Sequence, residues 1–266
     1  MITVSDIAAY INQICPESLS FDGDNVGHLV GRGAKKVQKV LVTLDVDEYV
    51  AQEAIAQGAD LIVAHHPMMF HPIGRITDSD PQQRALMLLV QNDIAMIAAH
   101  TNLDCVSGGL NDYLASRLGI QNTSVIEPVS DWGGVCHGYG RVGEVSDGTT
   151  LCDMLSRCIS ALGIEAVRYV GDEARLIKKV AVNCGGGAGE MNLCINMGVD
   201  LFITGDVKYN PARDAYESGM AVIDAGHYET EHIAIELISS IIAQKFPELT
   251  IMQSKANTAV FKYYVK

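Results

Sequence analysis

Twice along this chain, short aliphatic and β-branched runs alternate with longer segments of helical period, and this alternation restricts the fold more than any other feature. Strands linked through helices run parallel in one sheet, because a parallel connection needs a crossover of a dozen or more residues. The first passage predicts a strand over 40–44, a helix over 48–57, a strand over 61–64, a helix over 81–91 and a strand over 94–99. Pro81 falls near a helix start, where its missing N–H costs nothing. The second passage predicts a strand over 180–183, a helix over 191–196, a strand over 201–204, a helix over 212–218 and a strand over 221–224. Gly58-Ala59-Asp60-Leu61-Ile62-Val63-Ala64-His65-His66 resembles Gly198-Val199-Asp200-Leu201-Phe202-Ile203-Thr204-Gly205-Asp206, and residues 92–104 line up with 217–231, both ending in His-x-x-x-acid. The expectation is an α/β protein of two interlinked α/β domains built on a duplicated strand-helix-strand unit.

A length of 266 residues allows one large or two modest domains. Residues 128–148 hold Gly133, Gly134, Gly138, Gly140 and Gly143, a turn-rich stretch that reads as a boundary. A helix over 151–162, a strand over 165–170, one amphipathic helix over 230–245 and strands over 249–253 and 260–265 complete the pattern. The expected first domain is 1–127 with 226–266, carrying most of the candidate ligands, and the second is 128–225.

Composition narrows the partners. With 19 Lys and Arg against 32 Asp and Glu, the net charge of −13 repels phosphate backbones and anionic lipid surfaces, so neither nucleic acid nor membrane is expected as a partner. The apolar runs at 61–64 and 94–99 are far shorter than the ~20 residues a membrane span requires. The seven cysteines are scattered without a C-x-x-C pair, which fits free thiols in a reducing compartment. The opening MITVSDIAAYINQICPE lacks a basic, then apolar, secretory pattern, so a cytoplasmic location is expected.

Chemistry concentrates after predicted strands, where ligands collect in open α/β sheets. His65 and His66 end one strand, and Pro67 holds His66 extended, so the adjacent imidazoles splay toward two neighbouring metals better than toward one. His100 and Asp104 come after another strand, four positions apart, and His227 and Glu231 repeat that spacing. A turn or short helix would put each pair on one face. Either pair alone reads equally well as a helix-start carboxylate beside an unrelated histidine. Three clusters at three strand ends point to metal, and imidazole with carboxylate suits Zn, Fe, Mn, Co or Ni. His65, His66, Asp104, His227 and Glu231 are enough for two divalent ions if one carboxylate bridges, and Glu231 at a helix start is the bridging candidate. The glycine-rich Cys184–Glu190 turn could offer backbone N–H groups to an anion, or be only a tight turn. Arg141 and Arg168 are the candidate cations for an anionic substrate. Residues 22–27 read as a turn that places one acid near the site.

These residues together resemble the Nif-three-like dinuclear-metal family, whose members are often catalogued as GTP cyclohydrolase I type 2 homologs. The resemblance spans nearly the whole chain. It rests on Asp24-Asn25-Val26-Gly27, His65-His66-Pro67, His100-Thr101-Asn102-Leu103-Asp104, Gly140-Arg141-Val142-Gly143, Thr204-Gly205-Asp206 and Gly226-His227-Tyr228-Glu229-Thr230-Glu231. It implies a two-domain fold assembled into a toroidal homohexamer with two metal ions per chain. It further implies that His66 and Asp104 hold one ion, His65 and His227 the other, and Glu231 bridges. His100 matches a histidine beside the site, as a further ligand, an orienting group or a proton shuttle. Asn210 stands where family members often carry a histidine, His28 replaces a usual apolar residue, and the chain is the short form without an inserted domain. The expected function is a metal-dependent hydrolase acting on a nucleotide-like or phosphorylated small molecule, and the alternative is a non-catalytic ring serving as scaffold, regulator or metal chaperone.

Overall fold

The computed structural model describes residues 1–262 and Tyr264. In chain order the elements are α1 (Val4–Ile14), β1 (Gly27–Val30), β2 (Lys39–Thr43), α2 (Glu48–Gln57), β3 (Leu61–Ala64), α3 (Pro81–Gln91), β4 (Ala95–Ala98), α4 (Thr101–Cys105), α5 (Leu110–Arg117), β5 (Gln121–Trp132) and β6 (Val135–Glu144). The chain continues through α6 (Leu151–Leu162), β7 (Arg168–Val170), β8 (Lys179–Val182), α7 (Met191–Asn196), β9 (Leu201–Thr204), α8 (Tyr209–Ser218), β10 (Ala221–Asp224), α9 (His227–Glu231), α10 (Ala234–Lys245) and β11 (Thr250–Gln253). Helix starts obey side-chain chemistry: Asp47 accepts from Val50 N, Asp80 accepts from Gln83 N, and Pro81 occupies the first turn of α3. Among the described residues, no helix is long and apolar enough to cross a membrane.

Two compact units result, Met1–Leu103 with Ala234–Val260, and Asp104–Ile233 with Phe261 and Lys262. The first holds a five-stranded sheet in the order β1-β4-β3-β2-β11, parallel except for β1. Its inner strands β3 and β4 are buried at every residue, as continuous apolar runs in a covered parallel sheet should be. Leu41, Ile62 and Met96 pack there against Val50, Ala54, Ala85 and Leu89 of α2 and α3. The second unit holds a six-stranded sheet in the order β5-β6-β8-β9-β10-β7, with Phe202 and Val222 packed against Cys194 and Ala215 of α7 and α8.

This division differs from the expected domains, because residues 104–127 and 226–233 join the second unit rather than the first. Asn111 on α5 explains the former: its amide bonds the Asp104 carbonyl at 3.1 Å and accepts from Cys184 N at 2.9 Å, tying α4 and α5 to the end of β8. The candidate ligands are therefore split, with His65, His66 and His100 in the first unit and Asp104, His227 and Glu231 in the second.

The duplication extends beyond the strand-helix-strand unit. Residues 3–105 and 150–231 each run helix, strand, strand, helix, strand, helix, strand, helix, with a parallel trio (β2, β3, β4 or β8, β9, β10) and an antiparallel edge (β1 or β7). Thr3 with Asp6 and Thr150 with Asp153 form the same capping box. Asp60 accepts from the backbone N–H of Gln38 and Lys39, and Asp200 accepts likewise from Lys178 and Lys179. One alignment shifts: β4 and β10 correspond residue for residue through their pairing with β3 and β9, so His227 opens its helix where Thr101 opens α4, and His100 sits one position earlier.

Three expectations are corrected. The glycine-rich stretch 128–148 is no boundary but most of a long hairpin, β5 with β6, turning through Gly133 and Gly134 at φ 63° and 78°. Gly138 lies so close to β5 that a Cβ would stand 2.0 Å from the Glu127 carbonyl oxygen. The helix expected over 230–245 is two helices broken at 232–233. There the Thr230 hydroxyl donates back to the carbonyls of Gly226 and His227, and the His232 ring bonds the Glu229 carbonyl, competing with the helical ladder. The strand expected over 260–265 is absent from Val260–Lys262 and Tyr264, and its Tyr263 and Val265 lie outside the described residues. After β11 the Glu53 carboxylate draws the chain aside, accepting from Ser254 Oγ and the N–H groups of Lys255 and Ala256.

Candidate metal centre

In the first unit, the ends of β3 and β4 bring three imidazoles together. One ring nitrogen from each of His65, His66 and His100 lies within 4.8 Å of the others. Each Nδ1 is engaged: His65 with the Ala99 carbonyl at 2.7 Å, His66 with Asp45 Oδ1 at 2.7 Å, and His100 with Asp24 Oδ2 at 2.9 Å. A carbonyl or an ionised carboxylate only accepts, so Nδ1 carries a hydrogen in all three rings and Nε2 is the nitrogen left to act as a ligand. That arrangement prepares imidazoles for metal, since the second nitrogen fixes tautomer and orientation. Burial opposes ionisation of Asp24, but hydrogen bonds from His100 and Thr101 outweigh it and bring its pKa down to about 2.

In the second unit the donors are oxygen-rich. Carboxylate oxygens of Asp104 and Glu231 lie within 4.8 Å of each other, although the two residues are only 8% and 4% exposed. Cys184 Sγ donates to Asp104 Oδ1 at 3.3 Å, and burial joined by the neighbouring carboxylates pushes that thiol well above its ordinary pKa. His227 Nε2 meets Glu231 Oε2 at 3.0 Å, while its Nδ1 meets Asp206 Oδ2 at 2.7 Å. The hydrogen bond to Glu231 leads in raising His227 to about 9, burial opposes it, and Asp206 adds to the rise. Asp206 holds its ring from a left-handed backbone, φ 55°, as Asp45 does for His66 from an ordinary loop.

All six singled-out residues thus lie in donor clusters, three in each unit. Reading the chain alone missed Asp45 and the orienting role of Asp206, because a carboxylate that serves a distant histidine leaves no spacing pattern. Asp24 is the acid that the 22–27 turn supplies, and it serves His100.

The three candidate anion contacts are partly spent on bonds within the protein. In the glycine-rich turn the N–H groups of Cys184, Gly185 and Gly187 already donate to Asn111, Thr230 and Thr204. What the turn provides is space: a Cβ on Gly185 would stand 2.1 Å from Glu231 Oε1 and 3.2 Å from His227 Nε2. Arg141 is 2% exposed, and its guanidinium is spent on Asp112 and the carbonyls of Gly138, Gly140 and Val106. Arg168 pairs with Asp224 and also donates to the Val207 carbonyl.

Two carboxylates this close and this buried repel each other and have lost hydration, a cost that a divalent cation offsets better than a single imidazolium does. The donor chemistry fits a metal ion of borderline hardness in both units. Fold and side chains together define an α/β protein with His and Glu clusters that could bind metal.

Comparison with known proteins agrees. The profile of the family described as Duf34/NIF3 (NGG1p interacting factor 3) matches residues 2–259, and the chain belongs to that family. A Clostridium perfringens protein named GTP cyclohydrolase 1 type 2 homolog is 36% identical over 91% of this chain and 92% of its own. A Bacillus cereus protein related to NIF3 shares the fold at a TM-score of 0.93 and 24% identity, covering 99% of both chains. A hypothetical protein from Staphylococcus aureus matches at a TM-score of 0.90 and 29% identity over 98% of this chain and 99% of that one.

Proposed function

We propose that this chain holds two divalent metal ions and hydrolyses a nucleotide-like or phosphorylated small molecule, as a ring-shaped homohexamer in the cytoplasm. The observation that carries the reading is that each unit holds a donor cluster of its own, tethered imidazoles at His65, His66 and His100 in the first and two close, buried carboxylates at Asp104 and Glu231 in the second. In the pairing that the family resemblance implies, His66 and Asp104 serve one ion, His65 and His227 the other, and Glu231 bridges. Bound ions of this kind activate water and take up negative charge on an attacked phosphoryl or carbonyl centre. His100, oriented by the ionised Asp24, is the group placed to accept and return a proton. The nucleotide is suggested by the name that relatives carry.

The test is hydrolysis of a panel of nucleotides, phosphoesters and cyclic amides by the metal-reconstituted protein, with metal quantified and Asp104→Ala run alongside. Turnover at two metals per chain, abolished in the variant, is expected. A metal-replete protein that turns over nothing favours the second reading, a non-catalytic ring acting as scaffold, regulator or metal chaperone. One observation already leans that way: the Arg141 guanidinium and the N–H groups of Cys184, Gly185 and Gly187 in the glycine-rich turn are engaged by internal bonds. Protein that takes up no metal overturns both.

A further inference from the structure

We propose that the loop between β3 and α3 is a nucleotide-recognition site, with Phe70 stacking on the base and Arg75 pairing with the phosphate. This rests on the hydrolase reading above and names the substrate class for it. The loop leaves the sheet at His65 and His66 and returns at Asp80, the cap of α3. It is anchored rather than loose: Met68 is buried, Met69 and Ile73 pack on the first unit's core, Asn25 Nδ2 donates to the Met69 carbonyl at 2.6 Å, and Gln82 Nε2 donates to that of Met68.

From this anchored base the loop presents a half-exposed aromatic ring at the donor cluster. Phe70 is 48% exposed, and its ring centroid stands 5.5 Å from that of His100 in an edge-on contact. Phe70, Pro72, Ile73 and Arg75 line an open cavity of about 730 Å³, within the ~300–1,000 Å³ range of small-molecule sites. The lining joins apolar Phe70, Pro72 and Ile73 to the guanidinium of Arg75 and the polar side chains of His71, Gln82 and Gln83, a set that suits a flat ring carrying an anion.

Charge supports the assignment. In a chain of net charge −13, residues 65–77 contain no Asp or Glu. Of the nine arginines, eight are engaged: Arg32 by Asp93, Arg84 by Glu48, Arg213 by Glu217, and Arg117, Arg141, Arg157, Arg168 and Arg175 by other side chains or carbonyls. Arg75 makes no hydrogen bond or ion pair among the described residues, and it is the one that faces the cavity. A guanidinium kept out of internal pairing keeps its fork for a phosphate.

The experiment is calorimetric titration of the full-length, metal-loaded protein with adenosine and guanosine 5′-monophosphates, ribose 5-phosphate and adenosine. The monophosphates are expected to bind roughly tenfold tighter than ribose 5-phosphate through base stacking. Phe70→Ala should erase that difference and Phe70→Trp preserve it. Arg75→Ala should weaken all three phosphates about tenfold with adenosine unaffected, and Arg75→Lys should recover part of the loss. Equal binding of ribose 5-phosphate and the nucleotides, or affinities unmoved by either alanine variant, overturns the proposal. Base- and phosphate-dependent binding without turnover sustains this site while rejecting the hydrolase. Turnover whose KM ignores Phe70 and Arg75 does the reverse.

Discussion

The two repeats share a backbone plan and differ at their strand ends. Asp60 and Asp200 bind the same pair of preceding N–H groups, and Lys39 and Lys179 reach the carbonyls that end the first crossover helix of each repeat, at Gln57 and Met197. These bonds set strand register and depend little on the residues past the strand end. There the first repeat places Asp45, His65, His66 and His100, whereas the second places Gly185, Gly205, Asp206 and Gly226 at the corresponding positions. Imidazole donors dominate one unit and carboxylates the other. The comparison shows a scaffold held by main-chain bonds on which the ligand chemistry is free to diverge.

The sharpest break in the comparison comes from Gly185, the counterpart of Asp45. Gly185→Ala should displace Glu231 and cut metal affinity by about a hundredfold or more, measured by competition with a chromophoric chelator. Unchanged affinity would show that Glu231 is not held where the ligand is needed. Asp45→Asn and Asp206→Asn remove the orienting charge from His66 and His227 in turn, and each should weaken metal binding about tenfold to hundredfold. A loss in only one of them would mean that the two units do not contribute equally.

Stability tests the shared plan instead. Asp60→Ala and Asp200→Ala each remove a charged acceptor from two backbone donors and should cost about 1–2 kcal/mol in denaturant unfolding, with closely matched values. Thr3→Ala and Thr150→Ala, which open the two capping boxes, should each cost about 1 kcal/mol. Unequal pairs would show that the repeats carry unequal loads in folding.

Several elements were legible from residue order because their signals are local. The helix over 48–57 and the strands over 61–64, 201–204 and 221–224 match without adjustment. Each strand begins with an unbroken apolar run, Leu61–Ala64, Leu201–Ile203 or Ala221–Ile223, of the kind a buried parallel sheet demands. The β5–β6 hairpin was not legible. Gly138 and Gly143 read as punctuation, yet each sits inside a strand because the facing backbone leaves no room for a Cβ. The break between α9 and α10 was also hidden, since it depends on where the Thr230 hydroxyl turns.

For the site, residue order alone picked out the candidate donors: His65, His66, His100, Asp104, His227 and Glu231 follow apolar strands, and strand ends of open α/β sheets are where ligands collect. Tertiary structure decided their state. Only the fold could bring Asp24 across 76 residues to His100, Asp45 to His66, and the bare backbone of Gly185 against Glu231. It also withdrew Arg141 from solvent and left Arg75 facing a cavity. The reason is physical: a ligand's identity is a property of one residue, whereas tautomer, burial and availability depend on neighbours that chain order does not specify.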